Sequence, residues 1–111
     1  MARVVRITAE CAGEENWKIV LDAVLEGNKI KRQMCFGFVS SQEDGSTTRW
    51  PIMLRPQAPN GSTWVIDYGT NHEDSPQRTN LVDKDITLGN YFTVYDGTDE
   101  VTVRISQVTE L

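Results

Sequence analysis

A single histidine, His72, and two cysteines, Cys11 and Cys35, are the whole supply of imidazole and thiol in 111 residues. A Ser-His-Asp or Cys-His arrangement would have to run through His72. No Gly-x-Ser-x-Gly elbow is there to present a serine nucleophile. Zinc takes three or four His, Cys or carboxylate ligands. One His and two separated Cys, with no Cys-x-x-Cys, do not supply them. Calcium needs oxygens spaced along one loop. Asp83-Lys84-Asp85 and Asp96-Gly97-Thr98-Asp99-Glu100 carry carboxylates, but neither follows the Asp-x-Asp-x-Asp-Gly pattern, and acidic turns are common. Phosphate-cradling glycine motifs are missing as well. The expectation is no catalytic residue, no cofactor, no metal, and no enzyme.

Long apolar runs are also lacking. No stretch approaches the roughly 18 apolar residues of a membrane span. The start, Met1-Ala2-Arg3-Val4-Val5-Arg6, lacks the roughly 7–15 apolar residues of a secretory signal. Two cysteines allow at most one bridge, and a chain without an export signal stays in a reducing compartment. The expected location is therefore the cytoplasm, with both thiols free.

Positive charge is in short supply. Eleven Lys and Arg against sixteen Asp and Glu leave a net charge of −5 and a pI near 4.7. That balance disfavours nucleic acid, whose binding rests on cations neutralising phosphates, and anionic membrane surfaces. The one basic cluster is Lys29, Lys31 and Arg32, with Phe36 and Phe38 farther along. Alternation sets Lys29 and Lys31 on the face opposite the two rings, which does not make a base-stacking platform. The charge is uneven: residues 1–55 net +1 and residues 56–111 net −6. Such a two-faced field helps a partner or a second copy to dock.

What the chain does have is alternation. Its length suits one domain over residues 1–111, and 39% apolar with 24% charged residues is an ordinary globular mixture. Val5, Ile7 and Ala9 alternate with Val4, Arg6 and Thr8, predicting a first strand. Residues 17–38 predict a hairpin about Gly27-Asn28, a pair that accepts positive φ. That register opposes Glu26 to Lys29, Leu25 to Ile30, Leu21 to Met34, Ile19 to Phe36 and Trp17 to Phe38, which builds one apolar face. The rival is an amphipathic helix over residues 14–26, with Trp17, Val20, Leu21 and Val24 on one stripe. The helix leaves Ile19 and Leu25 off its stripe and carries three β-branched residues, so the strand is preferred.

Thr48, Trp50, Ile52 and Leu54 form the next alternating set. Pro51 within it marks an edge position or a bulge. Pro59-Asn60-Gly61 predicts a three-residue loop with Gly in the left-handed region, pairing Pro56 with Trp64, Leu54 with Ile66 and Ile52 with Tyr68. Residues 69–80 hold no apolar side chain, and a loop of that length is usually functional or disordered. Its candidate site residues are His72, Glu73, Asp74 and Arg78. A last hairpin turns at Asp96-Gly97-Thr98-Asp99. It sets Ile86, Leu88, Phe92 and Val94 on one face with Val101, Val103 and Ile105. Gly89 marks a bend, and the break at Gln107-Val108 marks a bulge or a strand end.

The pattern predicts an all-β fold: about seven antiparallel strands in a β-sandwich or a small, partly open barrel. The alternative is α+β, with a helix at residues 14–26. Trp17, Trp50 and Trp64 are expected inside as core. Tyr91 and Tyr95 face away from Phe92 and Val94 and form the preferred contact surface. The expected function is a non-enzymatic protein-interaction or assembly module, with a protein partner or self-association as a homo-oligomer. The alternative is a small-ligand or carbohydrate binder using the 69–80 loop and a nearby Trp.

Overall fold

The computed structural model describes residues 2–12, 16–59, 61–69 and 76–111. The alternating segments become β1 (Ala2–Cys11), β2 (Trp17–Glu26), β3 (Lys29–Ile30), β4 (Cys35–Glu43), β5 (Ser46–Pro56), β6 (Trp64–Asp67), β7 (Gln77–Thr79), β8 (Tyr91–Asp96) and β9 (Asp99–Glu110). The order is β1-β9-β8-β7-β6-β5-β4-β2-β3, and β1 also pairs with β2. That extra pairing closes eight antiparallel strands into a barrel, with β3 added beside β2. Apart from β3 and β4, which both pair with β2 rather than with each other, neighbours in sequence are neighbours in the sheet, and the β1–β9 contact joins distant parts. In place of the alternative helix over residues 14–26, residues 17–26 are strand; residues 14 and 15 lie outside the described residues. β2 sits between two strands that satisfy its backbone on both sides.

The first hairpin keeps only its two innermost pairs, Glu26–Lys29 and Leu25–Ile30. Beyond them Leu21 opposes Gly37, Ile19 opposes Val39 and Trp17 opposes Ser41. This is a correction of three residues to the expected register. Residues 31–34 leave the ladder, with the Lys31 amide donating to Val24 O at 2.8 Å and the Gln33 amide to Lys31 O at 2.7 Å. Side chains alternate with period 2, so an odd offset sends each one to the other face. Cys35 and Val39 turn inward. Met34 and Phe36, expected in the core, are 54% and 58% exposed.

Elsewhere the inward set matches the alternation. Val5, Ile7 and Ala9 are buried in β1, and Phe92, Val94, Val103 and Ile105 are buried in β8 and β9. Pro56 opposes Trp64 and Leu54 opposes Ile66, but the ladder ends at Met53–Asp67 before reaching Ile52 and Tyr68. Pro51 lies where β5 pairs with β4 alone, so its missing N–H breaks no ladder. The expected loop at Pro59-Asn60-Gly61 includes Asn60, which lies outside the described residues; the Gly61 amide donates to Ala58 O at 2.9 Å. The β8–β9 turn brings Asp96 opposite Asp99. A bulge leaves Ser106 unpaired between Gln107, opposite Thr8, and Ile105, opposite Ala9.

Two further departures set the shape. The polar stretch contains a strand, β7, which bridges β6 and β8 through Trp64–Thr79 and Thr79–Val94. It has no apolar residue to announce it; its backbone fills the gap that closure requires, and Thr79 Oγ1 donates to Thr93 O at 2.8 Å. Leu88 is 70% exposed rather than core, because Gly89 at φ 87° bends the chain and β8 starts only at Tyr91.

The segment between β7 and β8 closes one end of the barrel. Leu81 and Val82, in a 3-10 turn at Leu81–Asp83, and Ile86 are buried. The β2–β3 tip holds this plug in place. The Ile86 amide donates to Asn28 O at 2.6 Å, Lys29 Nζ donates to Asp83 O at 3.0 Å, and Arg32 pairs with Asp83 at 2.5 Å. The opposite end is where β1, β4, β6 and β8 finish and β2, β5, β7 and β9 begin.

Candidate functional site

Eight strands enclose a space that side chains just fill or that holds one small ligand. Here both happen, at different depths. The middle is packed with Ile7, Leu21, Leu25, Leu54, Ile66 and Phe92, all nearly free of solvent contact. At the end opposite the plug the inward positions are Trp17, the first residue of β2; Trp50, opposite Val39; and Tyr68, just past β6. All three are half-buried and pack on the core below. Above them lies a cavity of about 550 Å³. Its walls are Trp17, Trp50 and Tyr68, with Val39, Val94 and Val101 beside them. The Tyr68 hydroxyl donates to Gln77 Oε1 at 2.7 Å, tying β7 to this wall. Asp96, Asp99 and Glu100 stand at the rim, and no Lys, Arg or His lines the cavity among the described residues.

A second concavity of about 620 Å³ lies on the outside and shares Trp17. Strand pairing builds it as one lateral row: Arg49 opposite Ser40, Ser40 opposite Lys18, Lys18 opposite Glu10, Glu10 opposite Arg104, and Arg104 opposite Tyr91. Its lining is polar, and Arg49 also sits 5.5 Å from the centre of the Phe38 ring.

The tyrosines expected as a contact surface both point outward from β8, in different settings. Tyr91 is 49% exposed within the outer groove. Tyr95 is half-buried beneath the Arg78 guanidinium, 5.1 Å from its ring centre. Arg78 is therefore a strand residue of β7 rather than a loop residue. His72, Glu73 and Asp74 lie outside the described residues. Trp64 is core, as expected, at 3% exposure. Its indole Nε1 is buried with no acceptor among the described residues. Trp17 and Trp50 also point inward but line the mouth.

Sequence reading did not single out Tyr68, and it weighed Asp96, Asp99 and Glu100 only as carboxylates of a calcium loop. The only hint was the acidic turn, which reads as an ordinary hairpin tip until the barrel sets it beside two tryptophans. Both cysteines are free. Burial raises the Cys35 thiol to about 11, which keeps it protonated, so it offers no nucleophile. Asp67 and Asp22 are held below the usual carboxylate range, chiefly by hydrogen bonds from Arg55 and Arg6. Both pairs lie outside the mouth lining and brace the wall.

Comparison with protein families, curated proteins and solved structures finds no match for this chain.

Proposed function

We propose that the protein is a non-enzymatic barrel that binds a small ligand in its aromatic-walled mouth. One observation carries this reading: a cavity of about 550 Å³ walled by Trp17, Trp50 and Tyr68. The volume falls within the roughly 300–1,000 Å³ of small-molecule sites, and barrel mouths are among their usual places. The three rings supply apolar area, while the polar rim orients the ligand. The chemistry is binding: no nucleophile–base pair faces the cavity among its lining residues. The proposed location is the cytoplasm, which agrees with two free thiols.

Tryptophan emission tests the reading directly, because two of the three tryptophans line the mouth and the third is core. A panel of sugars, metabolites and small aromatic compounds is expected to contain members that change the emission saturably. Trp50→Ala is expected to abolish that response. Emission unmoved across the panel removes the proposal.

A second reading, an interaction or assembly module, draws support from the outer face. Tyr91, Phe36 and Met34 are each about half exposed there. Sedimentation velocity over a wide concentration range tests it. The expected result is association weakened by Tyr91→Ser; a strict monomer with no bound partner counts against it.

A further inference from the structure

We infer that the ligand of the mouth is a small organic cation, an ammonium-bearing molecule with apolar substituents. This inference rests on the reading of the mouth as a ligand site and adds the charge of the ligand. The aromatic-walled cavity defines the site, and three features choose the charge.

The walls come first. Trp17, Trp50 and Tyr68 are aromatic. Ring faces are negative and attract cations, tryptophan most strongly, and several rings around one ammonium make an aromatic cage. The rim is second. Asp96, Asp99 and Glu100 are its charged lining residues among the described residues, and all have the same sign. Elsewhere Asp22, Asp67, Asp83, Asp85, Glu26 and Glu110 each have an Arg or Lys partner, but no ion pair is formed by these three carboxylates among the described residues. The third feature is the hairpin register. Asp96 directly opposes Asp99 in the last pair of the β8–β9 ladder. Like charges set opposite one another repel, and a cation seated between the rings and the rim relieves that repulsion. An anion would meet three carboxylates with no compensating cation among the described lining residues. A bare metal ion would find ring faces where it needs oxygen ligands, and these acids do not form a metal-holding group among the described residues.

The experiment compares choline, butyltrimethylammonium and butylammonium with size-matched neutral and anionic compounds: 3,3-dimethylbutanol, pentanol and 3,3-dimethylbutyrate. Binding is read by tryptophan emission and calorimetry at low salt. The expected result is that the cations bind at least about tenfold tighter than their neutral counterparts and the anion binds weakest. The double variant Asp96→Asn, Asp99→Asn is expected to lower cation affinity about tenfold and leave the neutral compounds unchanged. Trp50→Phe, which keeps a ring, is expected to weaken cations less than Trp50→Leu does. If neutral or anionic compounds bind as tightly as the cations, the cation inference is overturned and the ligand site stands. If nothing of any charge binds, including the wider panel of sugars and metabolites, the ligand site falls with it.

Discussion

Gly37 crosses β2 so closely that a Cβ there would collide with the carbonyl oxygen of Val20 and the Cα of Leu21. The obstacle is backbone, which cannot rotate away. This crossing helps β4 keep its observed register after residues 31–34 leave the ladder. Gly37→Ala is expected to cost about 3 kcal/mol, the upper range for overpacking. Gly97 provides the contrast: its φ is 63° with nothing within 4 Å of an added Cβ. Gly97→Ala is expected to cost only about 1–2 kcal/mol, from backbone conformation alone. Urea unfolding of both variants checks the order.

The two apolar residues of the last alternating set that the structure separates make a second comparison. Phe92 is 1% exposed, and Phe92→Ala is expected to lose about 3–5 kcal/mol through transfer and cavity terms. Leu88 is 70% exposed, and Leu88→Ala is expected to stay within about 0.5 kcal/mol. Equal losses in thermal or urea unfolding contradict the bend at Gly89.

Acid stability follows from Asp67. Arg55 Nε donates to its carboxylate at 2.8 Å, and the Gly69 amide adds another bond at 2.8 Å, so its folded pKa lies below the unfolded value. A depressed carboxylate contributes stability that is fully present above the unfolded pKa, near about 4. That contribution disappears as pH falls through the folded value. Asp67→Asn is expected to lower stability at pH 7 and to flatten the loss between about pH 5 and pH 2. Asp22, paired with Arg6 on the exposed surface, follows the same sign with a smaller effect. Urea midpoints measured across that range test both.

The cysteines are expected to react in sequence. Cys35 is buried, its thiol donates to Gln33 O at 3.3 Å, and its pKa is raised to about 11. Cys11 is half-buried near the outer groove. Native protein at pH 7.5 is expected to label quickly at one thiol, and Cys11→Ser to label only on unfolding. Mass spectrometry after a short maleimide pulse distinguishes the two sites; rapid native labelling at Cys35 contradicts its placement in the barrel.

Much of the fold follows from side-chain alternation, because a strand's period of 2 assigns each residue a face without knowledge of its partner. Val5, Ile7 and Ala9, Leu54 and Ile66, and Phe92 and Val103 were legible as inward residues in this way. So was the break near Gln107, since a bulge interrupts the period itself. Tertiary structure decided what alternation does not carry. The departure of residues 31–34 moved Phe36 from core to surface, because an odd offset leaves the pattern intact while exchanging the faces. β7 was hidden because closure calls on backbone hydrogen bonds rather than apolar side chains. The mouth was hidden because Trp17, Trp50, Tyr68 and Asp96 stand far apart in sequence and share a cavity only once β1 meets β9. Which side chains point inward is a local property of each strand; which of them meet is a property of the closed sheet.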